Sequence, residues 1–163
     1  MVRSLSLPLL MPIVLCAAGS AFADTGPSMQ FTGTGDQVYT CTASGTQFAW
    51  TLKGPDATLT DDKGVVVGKH FTGPTWQAQD GSSVVGAAIA TSPSPLPNSI
   101  PWLVLQAKSH AGAGTMADVA YVVRTNTQGG VAPASGCDAT HVADETRVHY
   151  TATYLFLRGP VSP

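Results

Sequence analysis

Side chains alternate with a period of two along much of this chain, and no other feature constrains its fold as tightly. Phe48, Trp50 and Leu52 share one face of a segment whose other face carries Gln47, Ala49, Thr51 and Lys53. Val148, Tyr150, Ala152, Tyr154 and Phe156 alternate in the same way with His149, Thr151 and Thr153. Successive residues of an extended strand point to opposite sides, so this pattern suits a half-buried strand and not a helix, whose faces repeat about every 3.6 residues. Leu155 and Leu157 make the end of the last segment apolar on both faces, as a central strand requires.

The punctuation between these segments is that of antiparallel hairpins. Gly54-Pro55 is expected to end the Phe48 to Leu52 strand, because proline cannot donate to a ladder. From there the chain runs through Ala57 to Thr60, turns at Asp62-Lys63-Gly64 and returns along Val65 to Gly68. A similar unit follows: Gly73-Pro74 through Gln79, a turn at Asp80-Gly81, then Ser82 to Gly86. A tight turn needs a positive φ, which glycine adopts without a Cβ clash, so Asp-Gly between alternating segments is a strong hairpin signal. Pro93, Pro95, Pro97 and Pro101 predict a long, exposed, rigid loop, and Gly112-Ala113-Gly114 predicts a turn between strands at Trp102 to Ala107 and Val119 to Thr127. About nine strands and no convincing helix predict an all-β chain, a single antiparallel β-sandwich or closed barrel built from meander hairpins.

The N-terminus sets the compartment. Arg3, the apolar run from Leu5 to Leu15 and Ala21-Phe22-Ala23 have the layout of a cleavable secretory leader over residues 1–23. A lipoprotein leader built on Cys16 is disfavoured, because Leu15 stands where such signals need a small residue. Residues 24–36, rich in Gly, Thr, Ser and Pro, read as an extended arm; residues 37–158 read as one domain and 159–163 as a tail. No transmembrane segment is expected after cleavage. The mature chain keeps two cysteines, Cys41 and Cys137, and in an oxidising compartment they most simply form one disulfide, with two free buried thiols as the alternative. Removing Arg3 leaves seven basic side chains against ten acidic ones, and that balance gives no basic surface for nucleic acid.

Residues able to carry chemistry are few. His70 and Asp80 are a candidate acid and base pair if the fold brings them within hydrogen-bond reach; a satisfied histidine and a turn aspartate are the plainer readings. Trp76 and Trp102 follow prolines at strand starts, where a ligand-binding rim would lie, whereas Trp50 reads as core beside Phe48 and Leu52. His70, His110, His141 and His149 are too widely spaced to suggest a metal site, and Asp138 with His141 reads as a solvated loop, a weak local pair being the lesser alternative. The chain has neither a Gly-x-Ser-x-Gly elbow nor a Ser-x-x-Lys motif.

Several stretches together resemble a known family. They are Tyr39-Thr40-Cys41, Trp50 with Leu52, Gly54-Pro55-Asp56-Ala57, Gly68-Lys69-His70-Phe71, Gly73-Pro74-Thr75-Trp76, Asp80-Gly81-Ser82, Pro101-Trp102-Leu103, the segment from Thr127 through Gly129-Gly130 and Pro133 to Cys137-Asp138, and Tyr150 to Tyr154. The chain resembles the secreted bacterial and fungal proteins catalogued as domain of unknown function 3455 (DUF3455). The resemblance implies export and assigns no activity. Some fungal members carry a malate dehydrogenase label, which this chain does not support: Gly112-Ala113-Gly114 lacks the third glycine of a dinucleotide turn and precedes a valine-rich strand. No cofactor is therefore expected. The residues read as a secreted or periplasmic, non-catalytic binding or envelope-associated module whose partner is a small ligand, a glycan or an envelope component. A small hydrolase or isomerase with a site around His70, Trp76 and Asp80 is the rival, and a purely structural surface protein the third. Mass spectrometry of the exported protein is expected to place its first residue at Asp24; a mature chain retaining residues 1–23 would overturn the leader.

Overall fold

A computed structural model describes residues 28–159, and within them all regular structure is strand. The eight strands are β1 (Met29–Ser44), β2 (Gln47–Thr60), β3 (Val66–Phe71), β4 (Thr75–Ala78), β5 (Ser83–Ser92), β6 (Trp102–Ala111), β7 (Val119–Gly129) and β8 (Glu145–Arg158). Each pairs antiparallel with the next, and β8 returns to β1 along a ladder from Met29 opposite Phe156 to Thr40 opposite Glu145. The fold is an up-and-down closed barrel, which settles the choice between barrel and sandwich. Both predicted hairpin turns form. Gly64 and Gly81 take φ of 78° and 86°, and Asp61 and Asp80 accept backbone N–H groups from the residues that follow.

Three expectations need correction. β2 runs straight through Gly54-Pro55, which accounts for the ninth strand that the sequence suggested. The corner is absorbed by a bulge opposite Val38 and Tyr39, next to the point where β3 stops pairing with β2, and proline is tolerated at such a place. The arm expected over 24–36 is instead β1 from Met29 onward, paired on both edges. Its alternation is hidden because two of its inward positions are glycines. A Cβ on Gly33 would lie 2.5 Å from the Tyr154 ring, and one on Gly35 2.2 Å from the Asp56 carbonyl oxygen, so the close approach of the strands requires their absence. Trp50, expected in the core, lies outside the barrel. Beyond Cys41 and before Leu52 the β1–β2 hairpin projects past the barrel end, leaving Leu52 53% exposed and Trp50 half-buried under the β7–β8 loop, where its indole N–H donates to the Ser135 carbonyl at 2.9 Å. The leader (1–23), the start of the arm and residues 160–163 of the tail lie outside the described residues.

Alternation delivers one interior row per strand. Ala57 and Leu59 of β2, Trp76 and Ala78 of β4, Val84 of β5, Leu105 of β6, Val119 and Val122 of β7, and Tyr150, Ala152, Tyr154 and Phe156 of β8 make one continuous core. The barrel end bearing the β2–β3, β4–β5 and β6–β7 connections is plugged by Met116, which is fully buried. At the other end the β5–β6 loop folds inward rather than standing free: Ile100 is buried, and its N–H donates to the Gly129 carbonyl. The predicted disulfide, Cys41 to Cys137, ties the long β7–β8 loop to β1 at this same end.

The bridge closes a loop spanning 96 positions, which the chain-entropy account values at about 4–5 kcal/mol before native strain and residual unfolded structure are subtracted. A Cys41→Ala, Cys137→Ser double variant is expected to lose ~2–5 kcal/mol of unfolding free energy in denaturant melts. An unchanged midpoint would show that the loop is held without it.

Candidate functional site

The shortness of one hairpin creates the site. β3 and β4 have six and four residues, whereas β2 and β5 on either side have fourteen and ten. β3 pairs with β2 only from Asp56 to Thr60, and β4 pairs with β5 only at Ser83 to Val85. Past those points the barrel wall is open. Ala88 of β5 is exposed although the strand's preceding inward residues, Val84 and Gly86, are buried. Beneath the opening lies a cavity of about 240 Å³, bounded by the Gly73-Pro74 corner, by Leu52 to Pro55 of β2 and by inward side chains of the remaining strands.

An aromatic tier makes its floor. The imidazole of His70 stacks on the Trp76 indole with centroids 4.3 Å apart and planes 3° from parallel, and Tyr154 meets both rings edge-on at 5.1 and 5.7 Å. His70 and Trp76 face each other because they are register partners on adjacent strands. Nδ1 of His70 lies 2.9 Å from the Thr75 carbonyl oxygen, which only accepts, so Nδ1 carries the proton and Nε2 the lone pair. Burial pushes the imidazole pKa down to about 3; the Thr75 carbonyl opposes this and the charge of Arg124 adds to it. His70 is therefore neutral at ordinary pH. Burial likewise raises the Tyr150 and Tyr154 phenols, whose hydroxyls bond each other at 3.1 Å, and keeps them protonated.

Two polar side chains complete the wall. Gln37, on β1, is 2% exposed and reaches the cavity. Arg124, on β7, shares the inward parity of Val122 and donates through Nε and Nη2 to the Pro101 carbonyl at 3.1 and 2.8 Å. The rest of the wall is largely apolar, chiefly Trp76, Leu103 and Leu105, apart from Lys53 at the lip and the buried Trp76 indole N–H, which has no acceptor among the described residues.

Of the residues singled out in the sequence, His70 and Trp76 come together here. Asp80 does not: it sits in the β4–β5 turn at the plugged end, where one oxygen accepts from the Ser82 N–H and hydroxyl and the other from the Thr115 N–H and hydroxyl. Those hydrogen bonds hold its carboxyl well below the usual range and make it a clamp between the β4–β5 turn and the β6–β7 loop. Trp102 is also elsewhere. It alternates outward from Leu103 and lines an adjoining hollow with Val104, Val123 and Thr125, one that shares Leu103 and Arg124 with the cavity, and its indole N–H is buried without an acceptor among the described residues. Asp138 and His141, read mainly as a solvated loop, do pair within the β7–β8 loop at 2.7 Å, and His110 bonds the Val119 carbonyl. Among the described residues no three of His, Cys, Asp and Glu gather as a metal site. Gln37, Arg124 and Tyr154 were not foreseen as site residues. The signal for Arg124 was legible in the sequence: a cation at an inward position of the valine-rich run 119–124.

The His70 shift has a definite sign in stability. The unfolded chain takes up a proton near pH 6.5 that the folded chain refuses until about 3, so stability is complete above about 6.5 and falls as pH drops through that window. The slope contributed is at most ~1.4 kcal/mol per pH unit. Asp80 and Asp138, whose pKa values are depressed from 3.8, lose their contribution only below that value, which leaves the range from pH 6.5 to 4 to the histidine. His70→Asn, which keeps a donor for Thr75 without the titration, is expected to flatten the dependence of unfolding free energy on pH between 7 and 4. Parallel wild-type and variant curves would contradict the buried neutral imidazole.

Comparison with known proteins matches residues 23–158 to the family described as "Protein of unknown function (DUF3455)". No curated protein and no solved structure matches the chain. The match covers the whole barrel, from β1 to the end of β8 and including both cysteines, and the chain belongs to the DUF3455 family.

Proposed function

We propose that this protein is an exported, non-catalytic binding module that holds a small, largely apolar ligand in the barrel cavity around His70, Trp76 and Tyr154. The cavity itself carries the reading: about 240 Å³ of space beneath a gap in an otherwise closed wall, floored by stacked aromatic rings. Ligand pockets of roughly 300–1,000 Å³ accept drug-sized molecules, so the occupant here is smaller, a single ring or a short chain. Planar aromatic faces and leucine side chains favour an apolar body, and the few polar groups orient it. The leader and the disulfide support export.

The enzymatic rival finds less support. It needs His70 and Asp80 to act together, and Asp80 is engaged at the opposite end of the barrel. Among the described residues the cavity wall contains no serine, threonine or cysteine to act as nucleophile, and Lys53 at its lip is paired with Glu145. His70 spends its proton on a backbone carbonyl and has no carboxylate to orient it as a base.

Calorimetric titration with single-ring and short-chain amphiphiles, such as benzyl alcohol, cyclohexanol and hexanol, tests the proposal. At least one is expected to bind wild type, and Ala88→Trp, which places an indole across the opening, is expected to weaken it at least about tenfold, a loss ordinary for steric exclusion from a pocket. Equal binding by the Ala88→Trp variant would move the site elsewhere, and no binding by any probe would remove it.

A further inference from the structure

The cavity holds a cation without a counter-ion. Of the three arginines among the described residues, Arg147 pairs with Asp36 and Asp56 on the outer face and Arg158 pairs with Asp118 at the plugged end. Arg124, the one that points into the barrel, has no carboxylate within 4.0 Å among the described residues; two of its nitrogens donate to the single Pro101 carbonyl, and that oxygen carries no charge. A half-buried guanidinium loses hydration that a neutral carbonyl restores only in part. Its neighbours cannot supply an anion either. The groups that feel its field are His70, Tyr39, Tyr150 and Tyr154, all neutral at ordinary pH because burial holds the imidazole unprotonated and the phenols protonated. Lys53, at the lip, is already neutralised by Glu145. The interior therefore carries one uncompensated positive charge between its register partners Leu103 and Tyr154, in a wall where Gln37 and the Tyr154 hydroxyl offer neutral hydrogen bonds and Trp76, Leu103 and Leu105 offer apolar surface.

We infer that the ligand is a small organic monoanion, a carboxylic acid with a ring or short-chain body, whose carboxylate pairs with Arg124 while its apolar part rests on Trp76, Leu103 and Leu105. The inference rests on the cavity being a ligand site and adds the charge of the head group. A guanidinium presents coplanar donors that match a carboxylate, so the geometry selects a planar anion over a neutral alcohol and rejects a cation. Gln37, on β1 one strand beyond β8, supplies an amide that orients the head group.

Three matched probes separate this inference from the one beneath it: benzoate, benzyl alcohol and benzylamine, titrated against wild type, Arg124→Met and Arg124→Lys. Benzoate is expected to bind wild type about 10- to 100-fold more tightly than benzyl alcohol, the usual span for a hydrogen-bonded charge pair, with benzylamine weakest. Arg124→Met is expected to erase the preference, benzoate and benzyl alcohol then binding that variant equally, and Arg124→Lys to keep part of it, since the charge remains and the fork is lost. If Arg124→Met fails to fold, the wild-type ranking and Arg124→Lys still decide the matter. Benzyl alcohol binding as tightly as benzoate would overturn the anionic ligand and leave the cavity as a neutral site. Failure of all three probes to bind wild type would remove both.

Discussion

The ladder between β1 and β8 is the constraint on which the rest of the structure depends. An antiparallel meander left open would present two long edges of unpaired N–H and C=O groups, ready templates for aggregation with other chains. Closing β8 against β1 removes both edges and turns eight half-apolar ribbons into one interior. The closure needs room. Gly33 and Gly35 supply it by leaving out the Cβ atoms that would strike Tyr154 and the β2 backbone. The disulfide and the hydrogen bonds of Cys41 with Ala143 and Asp144 then fix the longest loop at the end of the barrel where the chain would otherwise be least restrained.

Within that closed wall a single shortage generates the functional asymmetry. β3 and β4 end early, and the interior that their missing residues would have filled remains as space. The opposite end shows the contrast, since there Met116 fills the bore and Asp80 pins the loop that carries it. Two acids and bases that looked like partners in the sequence thus serve opposite poles. His70 holds a neutral ring flat on Trp76, and Asp80 holds a loop.

Electrostatics sharpens the difference between the two ends. On the outside, Arg147 is compensated by Asp36 and Asp56, and Lys53 by Glu145. Inside, Arg124 meets only neutral groups, and a low-dielectric enclosure makes any anion that enters interact with it more strongly than at the surface. The polar residues of the cavity come from β1, β3, β7 and β8; Arg124 and Tyr154 pair directly across β7 and β8, and closure of β8 on β1 brings Gln37 into the same wall.

The amino-acid sequence by itself determined the strand character, the turns at Gly64 and Gly81, and the pairing of the two cysteines, because period-two alternation and turn chemistry are local and because Cys41 and Cys137 have only each other as partner among the described residues. It misled where local signals were ambiguous. Gly54-Pro55 has the chemistry of a strand end, yet a bulge carries β2 through it; Gly33 and Gly35 hide the alternation of β1; and Trp50 shares a face with Phe48 and Leu52 in a hairpin that has already left the barrel. Tertiary structure alone decided that the sheet closes, that the third and fourth strands fall short of their neighbours, and that His70, Trp76, Tyr154, Gln37 and Arg124 share one cavity while Asp80 and Trp102 do not. Those outcomes depend on registers between strands distant in sequence, and a register is set by how all the interior side chains pack at once, which no local stretch of sequence encodes.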